Sequence, residues 1–123
     1  MARLMSSTEL HQRIEKGEEF VLIDVLSKED FEKEHIPGAI NVPLANLRER
    51  AQKDLSTNQR IVVYGTDHDD PSSNDAAAVL EDLGFRKVAD FDGGLNAWKN
   101  AGFLTEGEEP EIAGEMARLN SSD

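Results

Sequence analysis

The chain has 123 residues with 38% hydrophobic content, which fits one globular domain, since domains cluster at about 100–150 residues. Its 13 Lys and Arg stand against 25 Asp and Glu, a formal charge of −12 that argues against nucleic acid or an anionic membrane as the main partner. Cysteine is absent, so disulfides, thiolate metal sites and any thiol mechanism supplied by the chain itself are excluded. No run approaches the ~20 apolar residues of a membrane span, and "MARLMSSTEL" lacks the apolar core of a signal peptide, so a soluble cytoplasmic protein is expected.

In chain order, a short strand is expected over residues 2–5. Ser6 and Glu9 then have capping-box spacing, and Leu10 and Ile14 form one helix stripe that Gly17 stops. "FVLIDV", from Phe20 to Val25, is the first clear strand. Ser27 and Asp30 open a short helix holding Phe31, and "HIPGAINVP" gives a turn at Pro37-Gly38 and an extended piece through Ile40 and Val42. Leu44 to Lys53 reads as helix and the β-branched run Ile61 to Tyr64 as a buried strand. Ser72, with Asp75 three residues on, reads as the N-cap of a helix that runs through Ala76, Val79, Leu80 and Leu83 to Gly84. "KVADF" is the next strand, and Gly93-Gly94 turn the chain into a helix with Leu95 and Trp98, ended by Gly102. The acidic segment from Thr105 carries Ile112, Met116 and Leu119 at helical spacing and is either a docked final helix or a frayed tail.

Alternating helix signals and apolar runs favour an α/β domain with a mainly parallel sheet. In such folds ligands bind in the crevice at the carboxyl ends of the strands. The loop "GTDHDDPS" after Tyr64 falls there, which makes Gly65, Thr66, Asp67, His68, Asp69, Asp70 and Ser72 the candidate binding loop. No Arg or Lys lies between Gly65 and Phe85. The repelling carboxylates are therefore expected to disfavour compact closure and leave the loop from Gly65 to Pro71 mobile, and they oppose the anion preference of a helix N-terminus. Thiosulfate, phosphate and arsenate are poor ligands for such a loop.

Taken together, "LIDVLSKEDFEKEHIPGAINVP", "DFDGGLNAWKNAGF" and the frame "RIVVY" to "AAAVLEDLGF" resemble the rhodanese-like domain, the fold of thiosulfate and related sulfurtransferases. The resemblance runs from about Leu4 to Gly102. It implies a three-layer domain with a central mostly parallel sheet flanked by helices, over residues 1–104, followed by an acidic tail over residues 105–123. It also implies a cysteine nucleophile directly after the "VVY" strand, where this chain has Gly65. A second cysteine in a longer-loop variant of the family corresponds to Asp70, and a basic residue two after the strand-end Asp24 corresponds to Leu26.

Glycine offers no nucleophile, and Thr66 or Ser72 would need an activating base and form no persulfide. The expected function is thus a catalytically inactive binding or regulatory module whose protein partner presents a basic surface, with no catalytic residue and no cofactor. The alternative is an enzyme of altered chemistry using His68 and the loop aspartates with a metal. "TDHDD" has donors for Ca²⁺, Mn²⁺ or Zn²⁺, but its spacing matches neither a calcium loop nor a zinc motif, so no metal ligand is assigned. Asp24 is expected to cap backbone amides after its strand and His35 to serve a structural turn.

Overall fold

Val21–Asp24, Arg60–Tyr64 and Lys87–Phe91 are buried along almost their whole length, as apolar runs covered on both faces must be in a parallel sheet. The computed structural model describes residues 2–108. Its elements are β1 (Arg3–Leu4), α1 (Ser7–Glu15), β2 (Val21–Asp24), α2 (Lys28–Lys33), β3 (Ile40–Asn41), α3 (Leu44–Asp54), β4 (Arg60–Tyr64), α4 (Ser72–Asp82), β5 (Lys87–Phe91) and α5 (Gly94–Asn100). The five strands are all parallel, in the order β1-β5-β4-β2-β3.

The period of two along the strands builds the three layers. Leu22, Val62, Tyr64, Ala89 and Phe91 pack with Leu10 of α1 and with Leu95 and Trp98 of α5. Ile23, Ile61, Val63 and Val88 pack on the other face with Leu47 and Ala51 of α3 and with Ala76 and Leu80 of α4. Each fully buried aliphatic or aromatic side chain contributes about 1.5–3 kcal/mol relative to exposure. These two clusters bury both faces of the sheet against its helices.

The caps follow the sequence at α1 and α2, where Ser6 and Ser27 each accept an amide from three residues on, Glu9 and Asp30, at 3.1 Å. The start of α4 differs from expectation. Pro71 occupies the N-cap position and makes no side-chain cap bond, while Ser72 is already helical. Asp70 supplies the acceptor that Ser72 was expected to provide, taking the Ser72 amide at 2.9 Å.

Hydrogen bonds continue past Leu104. The Trp98 indole donates to the Leu104 carbonyl at 2.8 Å, and the Thr105 hydroxyl meets Glu34 at 2.9 Å. His35 and Glu106 form an antiparallel bridge, and the Glu108 amide reaches the Glu32 carbonyl at 2.8 Å. The final helix expected around Ile112, Met116 and Leu119 lies outside the described residues. Among the described residues no helix is long and apolar enough to cross a membrane.

Candidate functional site

The carboxyl ends of β2 and β4, the loop after β4 and the start of α5 meet at one end of the sheet. Gly65 is buried there, and its φ lies outside the left-handed region. Backbone strain is therefore not what favours glycine. A Cβ at Gly65 would stand 2.6 Å from Asp70 Oδ2, well inside van der Waals contact. Asp70 is fixed in that place, accepting from the Thr66 amide at 2.9 Å, the Ser72 amide at 2.9 Å and the Ser72 hydroxyl at 2.7 Å. Burial works to raise the Asp70 pKa, but the hydrogen bonds from Ser72 and Thr66 outweigh it and hold the carboxyl below its ordinary range.

The acids do not splay the loop as expected from their charge alone. Asp67 Oδ1 accepts the Asp69 amide at 3.0 Å, and the Asp67 carbonyl accepts the Asp70 amide at 3.0 Å. Two of the carboxylates thus serve as internal acceptors for loop amides, where each bond contributes about 1 kcal/mol. On the far side, the carbonyls of Gly65 and Thr66 accept the amides of Leu95 and Asn96 at 3.0 and 2.9 Å. Gly94 makes that approach feasible: its φ is +64°, and a Cβ would lie 2.5 Å from the Gly65 carbonyl oxygen.

His68, the expected base, points out of the loop with its side chain 81% exposed and pairs with Asp92 at 3.0 Å. The Ser72 hydroxyl donates to Asp70 instead, and among the described residues no hydroxyl hydrogen-bonds His68. The structure brings Thr66, Asp70 and Ser72 together around Gly65 and leaves His68 and Asp69 facing outward. Among the described residues no group of three or more His, Asp or Glu side chains is placed to hold a metal ion.

Under the loop, Asp24 is fully buried, and its Oδ1 accepts the Leu26 amide at 2.9 Å, the capping role its strand-end position implies. Among the described residues its Oδ2 has no hydrogen-bond partner. Burial pushes the Asp24 pKa up to about 6, against the favourable Leu26 amide and the nearby Tyr64 hydroxyl. Burial also raises the Tyr64 phenol, which stays protonated and accepts the Ile36 amide at 3.0 Å. His35 stacks on Phe31 with ring centroids 3.9 Å apart, and its Nδ1 lies 2.7 Å from the Phe31 carbonyl. A carbonyl only accepts, so Nδ1 carries the proton, and His35 is tied to α2 and to Glu106 rather than to the Pro37-Gly38 turn.

Two acids were missed by reading the sequence, Asp90 and Asp92 at the end of β5. Asp90 is 1% exposed, and among the described residues neither carboxylate oxygen has a hydrogen-bond partner, although Ser73 and Asn74 lie beside it. Burial raises its pKa. The available signal was parity: in "KVADF" residue 90 shares a face with Val88, where an apolar residue belongs.

The family model described as the Rhodanese-like domain matches residues 6–101. The chain belongs to the rhodanese-like domain family. This domain is 35% identical over 106 residues to the HTH-type transcriptional regulator Rv0324 of Mycobacterium tuberculosis, covering 86% of the chain and 46% of that protein. It is 31% identical over 87 residues to the putative sulfur carrier protein YrkF of Bacillus subtilis, covering 71% of the chain and 45% of that protein. It thus spans about half the length of these two relatives. The thiosulfate sulfurtransferase GlpE of Coxiella burnetii is 31% identical over 84 residues, covering 68% of the chain and 76% of that enzyme. In structure, the rhodanese-like domain of Anabaena sp. Alr3790 superposes with a TM-score of 0.81 at 34% identity, covering 89% of this chain and 82% of that one. BH2092 of Bacillus halodurans does so with a TM-score of 0.83 at 30% identity, covering 89% and 80%.

Proposed function

We propose that this rhodanese-like domain is a catalytically inactive binding or regulatory module of the cytoplasm that recognises a protein partner with a basic surface. The carrying observation is the Asp70 carboxylate, which takes the amides of Thr66 and Ser72 in the space beside Gly65 where the family's persulfide would stand. A chain without cysteine holds no sulfane sulfur, and an inward carboxylate repels the thiosulfate dianion. The similarity to a transcriptional regulator and to a sulfur carrier, and not only to a sulfurtransferase, supports a role in which the fold serves recognition. The net charge of −12 and the exposed acids of the loop favour a cationic partner.

The test has two parts. The purified protein transfers no sulfur from thiosulfate to cyanide above a protein-free blank; turnover above that blank overturns the reading. Affinity capture then yields a partner whose binding weakens as salt rises from about 0.05 to 0.5 M, through screening lengths near 8 Å. A salt-insensitive partner contradicts it.

A further inference from the structure

We propose that the cleft between β1 and the first turns of α4 is an anchor for one arginine side chain of the partner protein. The inference rests on the binding-module reading and assigns it a specific contact.

The cleft has a volume of about 570 Å³ and is lined by Leu4, Ala77 and Ala78 as apolar walls, with His68, Asp90 and Asp92 among its polar residues. Asp69 also lines it, and among the described residues no lysine or arginine does. Asp90 lines the cleft and is 1% exposed, and among the described residues neither Oδ1 nor Oδ2 has a hydrogen-bond partner. A buried carboxylate left unpaired is costly, and native folds almost always give such a group a partner. Ser73 and Asn74 of α4 lie beside it and favour its charged form, yet neither makes a well-formed hydrogen bond to either oxygen, which leaves room for a donor from outside the described residues.

The shape selects among cations. Two unpartnered oxygens on one carboxylate match the two parallel N–H groups of a guanidinium, whereas an ammonium is a point charge that uses the pair less well. A metal ion would need several converging ligands, and among the described residues no such group of three exists. The aliphatic stem of arginine fits walls of Leu4, Ala77 and Ala78, with its charged head toward Asp90. Leu4 is 62% exposed, an apolar surface such a stem would cover.

The experiment is an amide NMR titration of the full chain with the blocked tripeptide acetyl-Gly-Arg-Gly-amide. Parallel titrations use its lysine and citrulline counterparts and free L-arginine. The arginine tripeptide shifts amides of Leu4, Ala78 and Asp92, the lysine peptide binds more weakly, and the neutral citrulline peptide does not bind. Free arginine, whose own carboxylate meets the acidic rim, binds more weakly than the blocked peptide. Asp90→Asn lowers affinity about tenfold or more, the usual worth of a charge-assisted pair, while Glu49→Gln on α3, with the same change in net charge, leaves it unaltered. Equal binding of the citrulline peptide, tighter binding of free arginine, or an unaffected Asp90→Asn overturns the proposal. Should Asp90→Asn fail to fold, the Leu4→Ser, Asp92→Asn variant takes its place, and unchanged affinity there is equally fatal. A captured partner that binds Asp90→Asn as tightly as the unaltered chain removes this anchor and leaves the binding-module reading standing.

Discussion

Asp70 turns its carboxylate into the bend of the loop, and that orientation limits what residue 65 can become. A cysteine there would place its Cβ 2.6 Å from Asp70 Oδ2, and Asp70 can retreat only by giving up the Thr66 and Ser72 donors. Gly65→Cys is expected to fold with a loss of about 1–3 kcal/mol in urea denaturation, the range for overpacking a tight site. Its thiol, beside a carboxylate, should titrate above the ordinary ~8.5 and react slowly with iodoacetamide at neutral pH. Adding Asp70→Gly removes both the contact and the charge, so alkylation should accelerate severalfold. Equal rates in the single and double variants would refute the assignment. The sequence displayed these acids and their density, but not their direction. Charge counting predicted an open loop because it could not foresee which carboxylates would find backbone amides.

The start of α5 and the loop after β4 form one unit, joined where the Gly65 and Thr66 carbonyls receive the Leu95 and Asn96 amides. Gly94→Ala should break that join, since the φ of +64° disfavours a side chain and its Cβ would lie 2.5 Å from a backbone oxygen. A loss of about 2–4 kcal/mol is expected, with faster hydrogen exchange at Leu95 and Asn96. Protection of those two amides equal to that in the unaltered chain would show that the contact is not the constraint. Gly93-Gly94 was legible as a turn, yet the reason for its second glycine is a neighbour nearly thirty residues away. The α4 cap shows the same boundary of local reading. Asp70 and Ser72 both have capping side chains, and the strand that delivers the loop decides between them.

Across the whole molecule, the sheet was readable because β-branched runs need cover on both faces, while the order β1-β5-β4-β2-β3 joins residues far apart in sequence and leaves no local trace. Burial of acids is a global property too, and it makes stability depend on pH. Asp24 has an ordinary value of 3.8 and is pushed to about 6. Between these the folded state keeps a proton that the unfolded chain releases, so the Asp24 contribution is present below about pH 4 and lost as pH rises through about 6. The difference corresponds to about 3 kcal/mol. Glu9 has the opposite sign, its carboxyl lowered to about 2 by the Arg3 and Arg13 side chains, so the informative quantity is variant minus parent. Asp24→Asn should gain on the parent in urea midpoint from about pH 4 to about pH 6 and level off above that, and a constant difference would contradict the raised pKa.

Among the described residues, the edge strand β1 precedes every other strand and pairs only with β5, the last of them, through Arg3 with Ala89 and Leu4 with Asp90. No surface can receive it until the chain has passed Phe91. During synthesis β1 must wait for β5, and closing so long a loop is slow. Leu4 is also a wall of the cleft above Asp90. That cleft therefore exists only while β1 is docked on β5, and an opening of β1 alone would erase it while the rest of the sheet stayed intact.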